Sequence, residues 1–211
     1  QHLRGISSAV LFLLFLPLFE SMFSVLTVFR LRELTSLDSP LLKKLKEEAP
    51  GTYNHSAVVS QLAEECAVAL GEDAELARAA ALYHDVGKCY QQTEILSKPG
   101  RLTDSEYAAM KRHPIDSFNL LSARFSPDVA RIARGHHERL DGSGYPDQLT
   151  ADQMPLEVRI ISVADVFDAI TSDRPYKKGK SPQHAINELD TLTHHYDRDV
   201  LDALRAMVED G

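Results

Sequence analysis

Two histidine-rich segments carry the side chains of this sequence that are best suited to chemistry. The first, residues 136–146, reads His-His-Glu-Arg-Leu-Asp-Gly-Ser-Gly-Tyr-Pro and places adjacent imidazoles before a glycine-rich turn. The second, residues 84–88, reads His-Asp-Val-Gly-Lys. Imidazole and carboxylate groups bind divalent first-row metals, and glycine allows backbone to lie close to a ligand. Together the two segments indicate a metal-dependent hydrolase.

Seven side chains are candidate metal ligands: His55, His84, Asp85, His113, His136, His137 and Asp165. Such a nitrogen and oxygen set suits divalent Fe, Mn, Ni, Co or Zn, and a two-metal site needs about this many ligands with one bridging carboxylate. Asp165 ends the largely apolar segment Ile161-Ser162-Val163-Ala164-Asp165, where a carboxylate is costly unless a cation or hydrogen bond compensates it. Taken singly, each histidine is more often a surface or satisfied side chain. His113 before Pro114 would fit the end of a helix, and three histidines show no partner pattern and are assigned to the surface: His184, His194 and His195.

The composition limits the classes of partner. The chain has 211 residues and a formal net charge of −8, which argues against a protein that coats DNA or RNA. A small anionic ligand held by metals and a few local cations remains compatible with that charge. The two cysteines, Cys66 and Cys89, predict no disulfide framework and fit reduced thiols in the cytosol.

The elements that must position these side chains are predicted to be helices. Apolar spacing, prolines in first turns and a capping box at Thr103–Glu106 delimit them. The predicted helices cover residues 41–48, 53–70, 74–83, 103 towards 113, onward to 124, 127–137, 155–172, a segment opening at 182, and 197–208. Residues 87–102 are predicted to be a loop. No alternating strand pattern is present, so the predicted fold class is all-α.

A hydrophobic run precedes this region. From Ile6 to Phe29 the only charged residue is Glu20. Three interpretations compete: the end of a transmembrane helix, which we favour, a signal peptide, and a buried linker helix. Arg30 and Arg32 fit a cytoplasmic exit. We therefore expect residues 1–37 to be the end of a membrane region with a linker helix, and residues 38–211 to be a cytoplasmic domain. Dimerisation through residues 25–37 is a further hypothesis.

The ordered motifs resemble the HD-GYP branch of the HD phosphohydrolase superfamily over about residues 50–211. The resemblance rests on His84-Asp85-x-Gly87-Lys88, Lys98-Pro99-Gly100-x-Leu102-Thr103, His113-Pro114, the whole segment 136–146, Arg159–Ala169, and Asp173-Arg174-Pro175-Tyr176-Lys177. It implies an HD-domain helical bundle with C-terminal HD-GYP helices. It also implies a bimetal phosphodiesterase that converts cyclic di-GMP to pGpG, with further hydrolysis to GMP left open.

The resemblance implies roles for individual residues. One metal would take four ligands: His55, His84, Asp85 and Asp165. The other would take His113, His136 and His137, with Asp85 bridging both. Lys88 matches a lysine beside the bridging water and scissile phosphate, so Asp85 and Lys88 are the implied catalytic residues. Gly144 and Tyr145 match a loop that shapes the substrate cleft, and three residues match dinucleotide contacts: Asp168, Arg174 and Lys177. Fe or Mn are the expected ions, with Ni, Co, Zn and Mg as alternatives. Gly51 stands where some members carry a glutamate for a third metal, so two metals are expected.

The N-terminal part has a second resemblance. Residues 16–20, 40–43 and 49–56 are similar to bacterial receptors with seven transmembrane helices and a cytoplasmic HD domain, a family associated with cyclic di-AMP. This likeness implies the bacterial inner membrane, with the catalytic domain in the cytoplasm. Three alternatives to cyclic di-GMP hydrolysis therefore stay open: a cyclic di-AMP phosphodiesterase, a non-catalytic cyclic-dinucleotide receptor, and a nucleotidase acting on monomeric nucleotides.

Overall fold

The computed structural model describes residues 15, 31, 34–36, 39–123, 125–173 and 178–210. Within these residues the ordered elements are helices, and the sole β-type pairing is an isolated bridge between Asp141 and Thr150. The prediction of an all-α fold is confirmed for this part of the chain. The predicted membrane run lies outside the described residues except for Phe15, and no described helix is long and apolar enough to cross a membrane.

The described residues form ten α-helices and two 3-10 turns. The first five helices are α1 (Pro40–Glu48), α2 (Pro50–Leu70), α3 (Ala74–Tyr83), α4 (Thr93–Leu96) and α5 (Asp104–Met110). The next five are α6 (His113–Ser122), α7 (Pro127–Gly135), α8 (Leu156–Thr171), α9 (Pro182–Asp190) and α10 (Arg198–Asp210). The 3-10 turns are Val86–Tyr90 and Ala151–Gln153.

Local sequence signals explain where several helices begin and end. The Asp73 side chain accepts from the amide of Leu76 at the start of α3. The predicted capping box is confirmed at α5, where Thr103 and Glu106 bond each other's backbone amides. Gly71 ends α2 with a φ of 75°, a left-handed conformation that glycine adopts without steric cost.

The core lies where α2, α3 and α8 pack together. Helix α3 is rich in alanine, and Ala77, Ala79, Ala80 and Ala81 are fully buried. Their small side chains allow neighbouring helices to approach closely. Most of α8 is buried as well, including Ile160, Ile161, Val163 and Ala164. The ends or inner faces of these three helices carry candidate ligands, so the packed core fixes their relative positions.

Two local predictions are wrong. Residues 87–102 are not a plain loop, because they contain the Val86–Tyr90 turn and the short helix α4. Backbone bonds from Lys88 N to Asp85 O and from Ser97 N to Thr93 O, both 2.9 Å, close these tight turns without any apolar periodicity. His113 does not end a helix either, since it is the first residue of α6 with Pro114 in the first turn.

Candidate metal centre

Five elements direct the seven candidate ligands towards one place. His55 lies in α2, His84 and Asp85 follow α3, and His113 opens α6. His136 and His137 follow α7, and Asp165 lies in α8. The imidazole centroids of His84 and His136 are 4.7 Å apart, and those of His55 and His84 are 5.4 Å apart. The fold therefore brings together all seven residues that the sequence selected.

Three of the histidines share one hydrogen-bond arrangement. In each, Nδ1 faces the carbonyl oxygen of the residue three positions earlier: His84 to Ala81 at 2.6 Å, His113 to Met110 at 2.7 Å, and His136 to Ala133 at 2.6 Å. A carbonyl oxygen can only accept, so Nδ1 carries the proton in a neutral imidazole. Each Nε2 is then left as a lone-pair donor that points into the centre, the tautomer that metal-ligating histidines use.

Several acceptor atoms of the centre face one another without a proton between them. The Nε2 atoms of His113 and His136 are 3.2 Å apart, and Asp85 Oδ1 lies 3.2 Å from the same His113 Nε2. His84 Nε2 and Asp85 Oδ1 are buried and have no hydrogen-bond partner. Such an arrangement is unfavourable unless a cation compensates it. The residues present therefore fit divalent metal ions.

The ligand atoms fall into two groups, each with all atoms within 4.8 Å: His113, His136 and His137 in one, and His55, His84 and Asp85 in the other. Asp85 faces both groups, since Oδ1 lies 3.8 Å from His136 Nε2 and Oδ2 lies 3.5 Å from His84 Nε2. Asp165 also faces both groups, with Oδ1 2.9 Å from His55 Nε2 and Oδ2 3.8 Å from His137 Nδ1. Each of these two carboxylates is therefore placed where it could bridge an ion in one group and an ion in the other.

The protonation states suit metal binding. Burial holds the pKa of His84 and His136 below the usual value for histidine and lowers that of His137 to about 3, so these imidazoles are neutral. Burial would raise the pKa of Asp85, but the Lys88 ammonium together with His84 and His113 outweighs burial and holds that pKa well below the usual range. The centre thus offers neutral imidazoles and ionised carboxylate, the forms that bind cations.

Among the candidate ligands with a shifted pKa, His55 alone has a pKa that is raised. Burial lowers its pKa, but hydrogen bonds to Asp165 and Asp168 outweigh burial and raise the pKa to about 9. His55 Nδ1 lies 2.5 Å from Asp168 Oδ2, and Nε2 lies 2.9 Å from Asp165 Oδ1. In the metal-free protein this imidazole is therefore protonated at neutral pH.

The two remaining polar residues predicted at the centre occupy different positions. Lys88 is partly exposed, and its ammonium donates a 2.5 Å hydrogen bond to Asp85 Oδ2. Asp168 is buried, faces His55, and accepts from Ser172 Oγ at 2.7 Å. The structure thus places Asp168 against a candidate ligand, whereas its predicted contact with a dinucleotide stays a prediction. Arg174 and Lys177 lie outside the described residues.

The loop between α7 and α8 borders the centre. The ring of Tyr145 stacks on that of His137 with centroids 4.7 Å apart. Lys111 Nζ lies 4.7 Å from the centroid of the same Tyr145 ring. Gly144 has no room for a side chain, because a Cβ there would lie 2.4 Å from the Cα of Glu138. Close packing at Gly144 therefore fixes where Tyr145 lies.

Sequence reasoning missed the role of Glu138. Its fully buried carboxylate accepts from the amides of Asp147 at 2.7 Å and Leu149 at 3.0 Å, and so holds the loop from inside. The available signal was an acidic residue directly after the paired histidines. It did not indicate the partners, because they are backbone amides nine and eleven positions later, and every residue except proline has such an amide.

Comparisons with known proteins identify a family and relatives named phosphodiesterases. A family model described as HD domain matches residues 33–200. A cyclic di-GMP phosphodiesterase of Pseudomonas aeruginosa is 40% identical over 77% of this chain, and a 3'3'-cGAMP-specific phosphodiesterase of Vibrio cholerae is 37% identical over 85% of it. The chain spans 40% of the length of each of these relatives. The solved HD domain of the L. monocytogenes phosphodiesterase PgpH has a TM-score of 0.60 at 23% identity, covering 82% of this chain and 99% of that one.

Proposed function

This chain belongs to the HD domain family, and on that premise we propose that it is a metal-dependent phosphodiesterase that opens cyclic di-GMP to linear pGpG in bacterial second-messenger signalling. The proposal rests on the convergence of seven candidate ligand side chains: two groups of three, and Asp165, which faces both groups. The 40% identity to a relative named cyclic di-GMP phosphodiesterase supports the substrate class.

The chain's own residues define how the chemistry is supported. His55, His84, Asp85 and Asp165 would hold one divalent ion, and His113, His136 and His137 the other. Such ions supply Lewis acidity, lower the pKa of water and neutralise charge on a phosphoryl group. The carbonyl groups behind three imidazoles fix the orientation of the rings, so that each Nε2 would be available to an ion. Burial excludes bulk water from the same groups and strengthens their electrostatic effect.

Lys88 is the cation best placed to assist the reaction. Its ammonium bonds the bridging candidate Asp85 and is partly exposed, so it can meet a phosphate that enters from solvent. A positive charge at this point offsets the negative charge that develops as the phosphodiester is attacked. Arg174 and Lys177 are proposed to contact the dinucleotide on the strength of the sequence motif. Gly144, Tyr145 and Asp168 complete the proposed cleft. A net charge of −8 does not oppose this function, because the compensating cations are local.

A second substrate has independent support. Relatives from Vibrio cholerae at 37% and 36% identity are named 3'3'-cGAMP-specific phosphodiesterases. Both this molecule and cyclic di-GMP contain guanine and two phosphodiester bonds, so the same metal centre would serve either. We place cyclic di-GMP first because several relatives at 39–44% identity carry that name.

Placement in the cell belongs to the same proposal. The charge-poor run from Ile6 to Phe29, followed by Arg30 and Arg32, supports attachment to the inner membrane with residues 38–211 in the cytoplasm. Iron or manganese is proposed for the two metal ions, since nitrogen and oxygen ligands bind both metals. A homodimer formed through residues 25–37 remains part of the hypothesis.

Product analysis tests the proposal. The chain, purified anaerobically and loaded with iron or manganese, is incubated with cyclic di-GMP, 3'3'-cGAMP and cyclic di-AMP in parallel. We expect metal-dependent conversion of cyclic di-GMP to pGpG, ahead of the other two. Preferred hydrolysis of cyclic di-AMP would mean that the likeness to membrane receptors predicts the substrate better than the segment 136–146.

The variant Asp85→Asn separates an enzyme from a receptor. It keeps the shape of the side chain but removes the charge that faces both ligand groups. If the chain is an enzyme, we expect its turnover to fall by more than about a hundredfold in this variant. If it is a receptor, the wild-type chain would show no turnover, and the variant would keep the wild-type affinity for the dinucleotide. The exposed carboxylate of Asp199, changed to Asn, serves as the control.

A further inference from the structure

A third cluster of metal-ligating side chains lies outside the centre described above. Asp141, His194 and His195 each present a ligand atom within 4.8 Å of the other two. His195 Nε2 lies 3.4 Å from Asp141 Oδ2, and the two imidazole centroids are 4.0 Å apart. The sequence predicts a surface position with no partner for both histidines. They do lie at or near the surface, but the fold brings them to a carboxylate more than fifty positions away.

Hydrogen bonds hold the cluster in place independently of any ion. The amide of Leu140 donates to the carbonyl of His195 at 3.1 Å, which ties together the backbones that carry two of the three side chains. The amide and hydroxyl of Ser143 donate to Asp141 Oδ1 at 3.0 and 2.6 Å. Asp141 Oδ2 is thereby turned towards His195. Ligand carboxylates in metal sites are commonly oriented by such outer contacts.

We propose that Asp141, His194 and His195 form a separate surface site for a divalent transition-metal ion, with Zn²⁺ as the best match. Two imidazoles and one carboxylate are a common protein ligand set for zinc, with water in the fourth position of a tetrahedron. Asp141 and His194 are exposed and His195 is partly buried. The site therefore exchanges ions with solvent, unlike the centre, whose ligands are largely buried.

The position of this site gives the ion a structural consequence. Asp141 pairs with Thr150 at the base of the loop that carries Tyr145, and Tyr145 stacks on His137 of the centre. His194 and His195 lie in the connection between α9 and α10. A bound ion joins the loop base to that connection. Zinc at this site therefore restrains the loop that borders the centre.

Zinc counting on the whole chain tests the site without reference to activity. Wild type and the double variant His194→Ala/His195→Ala are titrated with Zn²⁺ against a chromophoric chelator. His184→Ala is the matched control, because the His184 side chain is exposed and lies 3.5 Å from Glu188, away from the proposed site. We expect the double variant to bind one zinc ion fewer than wild type and His184→Ala to match wild type.

Asp141→Asn provides a second variant that should keep the fold. The amide oxygen can still accept from Ser143, but the charge is lost. Because a direct ligand is lost, we expect the dissociation constant of the surface zinc to rise by at least about tenfold to a hundredfold, the loss seen when a group that orients a ligand is removed, with the zinc of the buried centre unaffected. Equal zinc numbers in wild type and the double variant would overturn the proposal. A dissociation constant for this ion above about 1 mM would overturn it too, since such binding is worth only about 4 kcal/mol.

Discussion

At the scale of single residues, metal uptake should be coupled to the loss of a proton from His55. Burial lowers its pKa, but Asp165 and Asp168 raise it to about 9 in the metal-free protein, whereas the ordinary value is 6.5. The protonated imidazole stabilises the metal-free fold below pH 6.5, and this contribution is lost as the pH rises through about 9. A metal binds only the neutral ring, so metal affinity should increase over that same interval.

Calorimetric titration of the metal-stripped chain with Mn²⁺ measures this coupling. Repeating the titration in buffers of different ionisation enthalpy gives the number of protons released per ion. The ion that His55 would hold should release close to one proton at neutral pH and fewer as the pH passes about 9. Release that does not change with pH would contradict the assignment of His55 as a ligand.

Asp168 should act on the metal as well as on any substrate. Its carboxylate lies 2.5 Å from Nδ1 of His55, so it fixes the ring whose other nitrogen faces the centre. For Asp168→Asn we expect metal affinity to fall by about tenfold to a hundredfold, as for other outer-shell partners of metal-bound histidines. A pure substrate contact would instead raise KM at unchanged metal content. Ser172→Ala, which removes one hydroxyl from Asp168, is the control and should lose much less metal.

At the scale of elements, the turn after Asp85 tolerates no added side chain. A Cβ on Gly87 would lie 2.1 Å from the carbonyl oxygen of His113 and 2.6 Å from the amide of Ser117. Gly87→Ala must therefore push the turn away from α6, and we expect a loss of about 1–3 kcal/mol in the free energy of unfolding. Because the displaced backbone carries Asp85 and His113, metal content should fall together with stability.

Gly51→Ala is the matched control for this change. Gly51 lies in the first turn of α2, and an added Cβ meets nothing within 4 Å. Alanine is the better helix former, so stability should stay equal or rise by up to about 1 kcal/mol. Urea unfolding of the two variants and the parent measures both effects. Equal stability of Gly87→Ala and Gly51→Ala would show that the turn moves freely.

The outcome at this scale shows what local sequence can and cannot predict. Caps such as Thr103 and Gly71 are predictable because their partners lie within a few residues. The seven candidate ligands could be selected from the sequence because their chemistry is distinctive and their motifs are short. The bonds of Glu138, the position of Asp168 against His55, and the meeting of Asp141 with His194 depend on packing between distant helices. Residue types alone therefore could not predict these contacts.

At the scale of the whole molecule, the segment before α1 is attached to the helix that leads into the centre. Leu31 and Leu34 are buried in the common core. The phenol of Tyr83 donates to the carbonyl of Leu34 at 2.8 Å, and its oxygen lies 2.8 Å from Ser39 Oγ. Tyr83 is fully buried and directly precedes His84. These contacts join the segment before α1 to a side chain next to a candidate ligand.

Removing the Tyr83 hydroxyl tests whether this attachment is specific. Burial raises the pKa of Tyr83 to about 12, so the phenol stays protonated and keeps donating across the physiological range. Tyr83→Phe leaves the carbonyl of Leu34 without its donor, and we expect a loss of about 1–3 kcal/mol. Hydrogen exchange should accelerate in α1, whose amide at Lys43 bonds the carbonyl of Ser39. Tyr90→Phe, at an exposed ring, is the control. If exchange in α1 were equal in the two variants, core packing of the leucines alone would hold the segment, and the upstream region would lack a polar connection to the centre.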